Sequence, residues 1–250
     1  MESAFRGIVL RRTNQGESDR RLTLMTLERG KIDVVAKGSR KATGRLSAVT
    51  EPLSVATFSI AEGKRTRFLT QAVPESAYVH LRQDFLRLSA AIASAELFSA
   101  MLPYEQPDPS AFALLETTLN GIDRSSNCLA GALWGQVHLL MEAGFAPDWY
   151  RSAVSGAEVS EVDPWFSVAA GGLVTPTERD DRTSYRIPTE VLYGIRRLSE
   201  IDVPPDKLRR AAETQFALAP WWRHVADMPL AAFESLINLL NADLNQPLAM

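Results

Sequence analysis

The sequence is nearly without cysteine: Cys128 stands alone among 250 residues, which rules out an intrachain disulfide and any metal cluster built on cysteine. Histidine is almost as scarce. His80, His138 and His224 lie far apart, and none belongs to the H-x-x-x-H type of pair that marks a metal site on a helix. No apolar run reaches the ~18 residues that a membrane span requires, and the start MESAFRGIVLRRTNQGESD lacks the apolar stretch of a secretory signal. A membrane partner is therefore not expected, and a cytoplasmic location is. Also missing are a G-x-S-x-G elbow, a G-x-x-x-x-G-K-[ST] phosphate loop and a G-x-G-x-x-G turn. Asp180 and Asp181 are paired in sequence, but neighbours in a chain do not converge on one substrate, so they read as a solvated loop. Together these absences point to a protein that is not an enzyme and needs no cofactor.

What is present is a folded composition, 46% hydrophobic and 23% charged, close to globular averages. At this length two modest cores are expected. The net charge of -3 hides an asymmetry. Residues 1–82 carry 15 Lys+Arg against 8 Asp+Glu, net +7, whereas 83–250 carry 12 against 22, net -10. A local basic surface on an acidic protein can still bind phosphates.

Up to about Tyr78 the chain reads as five short strands: GIVLRRT, RLTLMTL, KIDVVAK, LSVATFSIAEG and RFLTQAVPESAYV. Leu22 and Leu24 alternate with Arg21 and Thr23, and Ile32, Val34 and Ala36 alternate with Asp33, Val35 and Lys37. Gly30 in ERGK supplies the positive φ of a tight hairpin. Five strands in so short a region suit a small closed barrel, either of the oligonucleotide-binding (OB) type or SH3-like. Phe58 and Phe68 are assigned to its core.

Beyond Pro74 the period becomes helical. Phe85, Leu88, Ile92, Ala95, Phe98 and Leu102 share one face of a first helix that stops before Pro103. Phe112, Leu115, Leu119 and Ile122 mark a second after Asp108-Pro109, and Leu129, Leu133, Val137 and Leu140 a third spanning Asn127 to Ala143. Residues 145–187 lose this period and hold Trp149, Tyr150, Trp165 and Phe166, an irregular insert with its own aromatic packing. Helical patterning returns at Thr189 to Ser199, Asp206 to Leu218 and Pro229 to about Leu240. The expected architecture is α+β: a barrel over 1–80, then a helical domain over 81–250 interrupted by the insert.

The basic residues of the first region cluster at strand ends and loops: Arg11, Arg12, Arg20, Arg21, Lys37, Arg40, Lys41 and Arg45. Cations on mobile loops beside a barrel neutralise phosphates whichever bases are present. The region offers few exposed aromatics, so backbone contact is expected over base stacking. Arg196, Arg197, Arg209 and Arg210 could add a smaller patch to the helical domain.

The stretch GIVLRRTNQGESDRRLTLMTLERGKIDVVAKGSRK resembles the opening of the bacterial RecO family, and LMEAGFAPDWYRSAVSG and GGLVTPTE resemble its central module. The resemblance implies an N-terminal OB barrel, a C-terminal helical domain and the role of a recombination mediator in DNA repair. By that implication the chain binds single- and double-stranded DNA and anneals complementary strands. With RecR it helps load RecA onto DNA coated by single-strand-binding protein, in the cytoplasm and at the nucleoid when on DNA. The eight basic residues above are the implied DNA surface. The alternative is an OB-fold adaptor that binds RNA or a protein. Many relatives carry four zinc-binding cysteines in the module; here those positions read Ser152, Ser155, Thr175 and Glu178. Neutral hydroxyls are poor zinc ligands, so no metal is expected, and Trp149, Tyr150, Trp165 and Phe166 are expected to hold the insert by packing.

Overall fold

The computed structural model describes residues 2–40, 46–75, 78–162 and 164–245. Five strands, β1 (Glu2–Gln15), β2 (Asp19–Thr26), β3 (Gly30–Ala36), β4 (Val55–Glu62) and β5 (Arg67–Pro74), close into a barrel in the order β1-β2-β3-β5-β4. Every pairing is antiparallel except the seam, where β3 meets β5 in parallel with Val35 opposite Phe68. This order is that of an OB barrel, not an SH3-like one. The alternation in β2 and β3 is realised: Leu22, Leu24, Ile32, Val34 and Ala36 fill the interior with Val9, Phe58, Ile60 and Leu69, because successive side chains of a strand point to opposite faces.

Two local devices join this barrel to the helices that follow. The first is a bulge in β1, where the register with β2 shifts between Val9 and Arg11. Leu10 thereby leaves the ladder, and with Ile8 it packs into the helical core while Val9 stays in the barrel. One strand serves two cores. The second is Gly30, at φ +68° in the β2-β3 turn, where a Cβ would stand 1.9 Å from the backbone oxygen of Gln106. Glycine is required there by the turn and by the close approach of the chain entering from the helices.

Six helices follow: α1 (Phe85–Met101), α2 (Pro109–Arg124), α3 (Cys128–Glu142), α4 (Thr189–Glu200), α5 (Ala211–Val225) and α6 (Ala231–Asn245). The first three begin on side-chain caps, with Asp84, Asp108 and Asn127 accepting from the backbone N–H groups of Arg87, Ala111 and Leu129. Two expectations need correction. Phe85, assigned to the buried face of α1, is largely exposed at the first helical position. The helix expected from Asp206 to Leu218 starts only at Ala211, because Arg210 sits at φ +53°, and it runs through Pro220 to bury Trp221 and Trp222. Proline removes one helical hydrogen bond, and the burial of the two indoles beyond it offsets that loss.

A polar clamp completes the junction. Arg6 Nε donates to Glu75 (2.9 Å), and its Nη1 and Nη2 donate to the two carboxylate oxygens of Glu116 on α2 (2.9 and 2.6 Å). Its guanidinium also lies 5.4 Å from the ring centre of Phe112. Lys31, buried on β3, donates from Nζ to the Ser99 carbonyl in the last turn of α1 (2.5 Å), a favourable place for a cation.

The insert forms a small sheet of β6 (Trp165–Ser167), β7 (Gly172–Val174) and β8 (Ser184–Arg186) in the order β7-β6-β8. Phe166 is its buried hub, with ring centres of Trp149, Tyr185 and Trp221 5.6, 5.5 and 5.8 Å away. Of the four aromatics expected to pack inward, only Trp149 and Phe166 do so. Trp165 and Phe166 are adjacent on one strand and must face opposite ways, so Trp165 is covered from outside by the guanidiniums of Arg179 and Arg186. Tyr150 is exposed against Arg196. Among the described residues no helix is long and apolar enough to cross a membrane.

Candidate nucleic-acid interface

Residues paired across an antiparallel ladder share a face. One such row on the outside of the barrel is Arg11, Thr23 and Asp33; the next is Thr13, Arg21 and Val35, extended to Phe68 across the seam. Lys37, two residues past Val35, continues the same column. The Arg21 guanidinium pairs with Asp33 at 2.8 Å yet keeps 59% of its side-chain surface. Lys37 places its ammonium 4.5 Å from the ring centre of Phe68. Phe68 therefore belongs to this outer face, half-buried, and not to the core that holds Phe58. Arg11 is exposed and has no ion-pair partner among the described residues.

The other basic residues divide. Arg12 pairs with Leu22 and Arg20 with Ala36, so both sit on the inward side of their ladder. Arg20 Nη1 donates to the Ser47 carbonyl, the Thr50 hydroxyl and the Glu51 carboxylate (3.2, 2.7 and 3.1 Å), and Arg12 Nη1 joins it on Glu51 (3.0 Å). With its side chain only 13% exposed, Arg20 fastens the 3-10 turn Ala48–Thr50 to the barrel. Arg40 reaches back to the Gly16 carbonyl (2.6 Å), while its own N–H donates to the Ser18 carbonyl (3.0 Å). It thereby ties the turn after β1 to the exit of β3, with its side chain on the surface. Lys41 and Arg45 lie outside the described residues. The smaller cluster does not form one patch: Arg196 is buried on the Trp149 carbonyl and Glu161, and Arg197 and Arg210 pair with glutamates.

Two further cations escape a search for charge clusters along the chain. Lys64 and Arg65 occupy the β4-β5 turn, exposed and without an ion-pair partner among the described residues. They border a groove of about 530 Å³ that Arg21, Asp33, Arg67 and Tyr104 also line. Each carboxylate in it is already engaged: Asp33 by Arg21 and the Thr23 hydroxyl, Glu62 by Arg29 and Arg67, and Glu105 by Arg67. The hydrogen bond from Arg29 in particular holds Glu62 below the usual carboxylate range. With the acids neutralised from within, Lys37, Lys64, Arg65 and Arg11 give this face its positive excess. The outer face of β2 and β3, flanked by the β1-β2 and β4-β5 loops, is where OB folds take oligonucleotides.

Residues 1–78 match the family model described as Recombination protein O N terminal, and residues 82–214 match Recombination protein O C terminal. The chain belongs to the RecO family. It is 37% identical to the DNA repair protein RecO of Heliobacterium modesticaldum over 171 residues, which is 67% of this chain and 62% of that protein. Against the DNA repair proteins RecO of Gloeobacter violaceus and Myxococcus xanthus it is 32% and 31% identical over 205 and 210 residues. Those matches cover 81% and 82% of this chain, and 78% and 85% of the relatives. It thus spans just under two thirds of the first relative and more than three quarters of the other two.

In this RecO-family chain the four positions Ser152, Ser155, Thr175 and Glu178 do come together, around a carboxylate. Glu178 accepts from the Ser152 hydroxyl (2.6 Å) and from the Thr175 N–H (2.9 Å), and the Ser152 oxygen in turn accepts from the N–H groups of Val154 and Ser155 (3.1 and 3.3 Å). These bonds, the one from Ser152 foremost, hold the Glu178 carboxyl down to about 2. Such a donor set does not suit zinc: three neutral hydroxyls accompany one carboxylate, and the carboxylate and the Ser152 oxygen already accept protein donors. Among the described residues no group of three or more His, Cys, Asp or Glu side chains is placed to hold a metal.

Proposed function

We propose that this protein is a non-catalytic recombination mediator that binds single- and double-stranded DNA through backbone phosphates on the outer face of its barrel. The reading is supported above all by one observation: cations concentrate on one face and on the loops beside it, while the acids that line the groove, Asp33, Glu62 and Glu105, are internally paired. The proposed contact set is Arg11, Arg21, Lys37, Arg40, Lys64 and Arg65, to which the sequence adds Lys41 and Arg45. Arg12 and Arg20 contribute by holding the 3-10 turn Ala48–Thr50 on the barrel. Screening the repulsion between two strands on one basic surface accounts for annealing of complementary strands. The helical region supplies the docking surface for RecR and single-strand-binding protein, and RecA loading follows from that assembly in the cytoplasm.

The test is a salt titration of binding to single- and double-stranded oligonucleotides of unrelated sequence. Changing Lys37, Lys64 and Arg65 together to alanine weakens binding to all sequences alike. It flattens the plot of log affinity against log salt by roughly 0.7 for each single-strand phosphate that is no longer neutralised, and it slows annealing. Unchanged affinity and an unchanged salt slope overturn the assignment. Sequence-selective RNA binding in place of DNA binding would support the adaptor reading instead.

A further inference from the structure

The helical region sends one residue into the groove on the barrel. Tyr104 lies in the short connection between α1 and α2, 51% exposed, and the groove lining brings it together with Arg21, Lys64 and Arg65. Its ring is fixed from beneath. Lys31 Nζ stands 4.2 Å from the ring centre, and Lys31 shares the outward column of β3 with Asp33, Val35 and Lys37. The backbone is fixed too: Tyr104 forms a parallel bridge with Lys31, Glu105 N–H donates to the Lys31 carbonyl (2.9 Å), and the Glu105 carboxylate accepts from Arg67 (2.8 Å). Gln106 then closes against Gly30. The side chain is therefore an aromatic plate held in place before any ligand arrives, with one face on an ammonium and the rest turned to the groove.

At the other end of the same column Phe68 lies under Lys37. The six steps from Lys31 to Lys37 span about 20 Å at the usual strand rise. That length suits a few nucleotides, and OB folds bind upward of about four. A phosphate-binding groove with a preorganised aromatic at its edge matches the chemistry of an unpaired nucleobase, whose π-face stacks regardless of sequence. A base inside a duplex has no free face to offer.

We infer that Tyr104 is a stacking station for an unpaired base, so that the helical region and the barrel together form a site selective for single-stranded nucleic acid. The inference rests on the phosphate-binding reading above and adds to it the discrimination between single and double strands. Lys31 acts as a positioning residue that pins the ring, and the cations around the groove hold the sugar-phosphate chain.

The experiment compares wild type with Tyr104→Leu, which keeps an apolar body over Lys31 but removes the π-face, and with Tyr104→Trp and Tyr104→Phe, which keep it. Each is titrated with a single-stranded oligonucleotide carrying 2-aminopurine, with the same strand made abasic at several positions, and with the matching duplex. Expected for Tyr104→Leu is a loss of roughly 5- to 100-fold in single-strand affinity and of the 2-aminopurine quenching seen with wild type. Its duplex affinity, its abasic-strand affinity and its salt slope stay within twofold of wild type, and the aromatic variants keep the single-strand preference. The inference is overturned if Tyr104→Leu binds the intact single strand as wild type does, or if single strand, abasic strand and duplex weaken together. A wild type that binds the abasic strand and duplex with a steep salt slope but never quenches 2-aminopurine overturns the stacking station and leaves the phosphate reading standing. A wild type with no salt-dependent binding at all overturns both.

Discussion

Replacing Arg6 with alanine removes three charge-assisted hydrogen bonds at once, two to Glu116 and one to Glu75, together with the packing on Phe112. A buried bond of this kind contributes about 1.5–3 kcal/mol, and a fully exposed ion pair only about 0–1. The three side chains keep 34%, 32% and 26% of their surface, so the appropriate scale lies between these limits, at about 2–3 kcal/mol for the set. Part of that loss comes from two carboxylates left facing each other without a counter-charge. For a chain of this size each kcal/mol lowers Tm by about 2–4 °C, which gives a fall of roughly 4–12 °C. Calorimetry with urea titration measures it, and Arg11→Ala, an exposed residue of the same strand, serves as a control expected within about 0.5 kcal/mol of wild type. A double-mutant cycle with Glu116→Gln should return a coupling of about 1–2 kcal/mol. If Arg6→Ala and Arg11→Ala melt together, the clamp is an ordinary surface ion pair and does not stiffen the junction.

Gly30→Ala places a Cβ against the Gln106 backbone at a left-handed position. It should cost at least about 1–2 kcal/mol in urea titration and displace Tyr104 enough to copy the single-strand defect of Tyr104→Leu; full retention of both properties would show that the connection does not depend on this approach. Glu178 is held at about 2 in the folded chain against a reference of 4.5, so its contribution is complete above roughly pH 5 and is lost as pH falls through the folded value. Fluorescence of Trp149 and Trp165 followed from pH 6 to 2 should therefore show a local change in wild type that is missing from Glu178→Gln, and superimposable curves would remove Glu178 from its central role.

Much of the fold is legible in the chain because it rests on periods the chain displays. The alternation in β2 and β3 marks interior and exterior correctly, and the caps at Asp108 and Asn127 mark where α2 and α3 begin. The site is harder to read. Parity alone places Arg20 on the face of Leu22 and Leu24 and Arg21 on the other, a signal that grouping by charge overlooks. Arg12 needs the register as well, since the bulge at Leu10 resets the parity of β1. Lys64 and Arg65 sit in a turn too short to stand out, although the run GKRTR is there to be counted. Tyr104 follows from no local rule. Its partner Lys31 is distant in sequence, and only the packing of α1 against the barrel brings the two together. For the same reason Phe68 defeats the expectation of a core residue: it faces outward where β5 crosses the seam, and that crossing has no periodic signature.

The junction around Glu178 also determines what kinds of chemical injury the insert can survive. Loops joined by thiols fall apart when an oxidant converts the sulfur, and loops joined by a metal loosen when the ion is scarce or is captured by a competitor. Serine, threonine and glutamate side chains offer an oxidant nothing to take at neutral pH, and the one thiol of the chain, Cys128, is buried at the start of α3. The hydrogen bonds that gather Ser152 and Thr175 on Glu178 thereby form with neither a thiol nor a metal ion among their partners. An insult that oxidises thiols or strips metal ions leaves the hydrogen bonds in this part of the structure as they are.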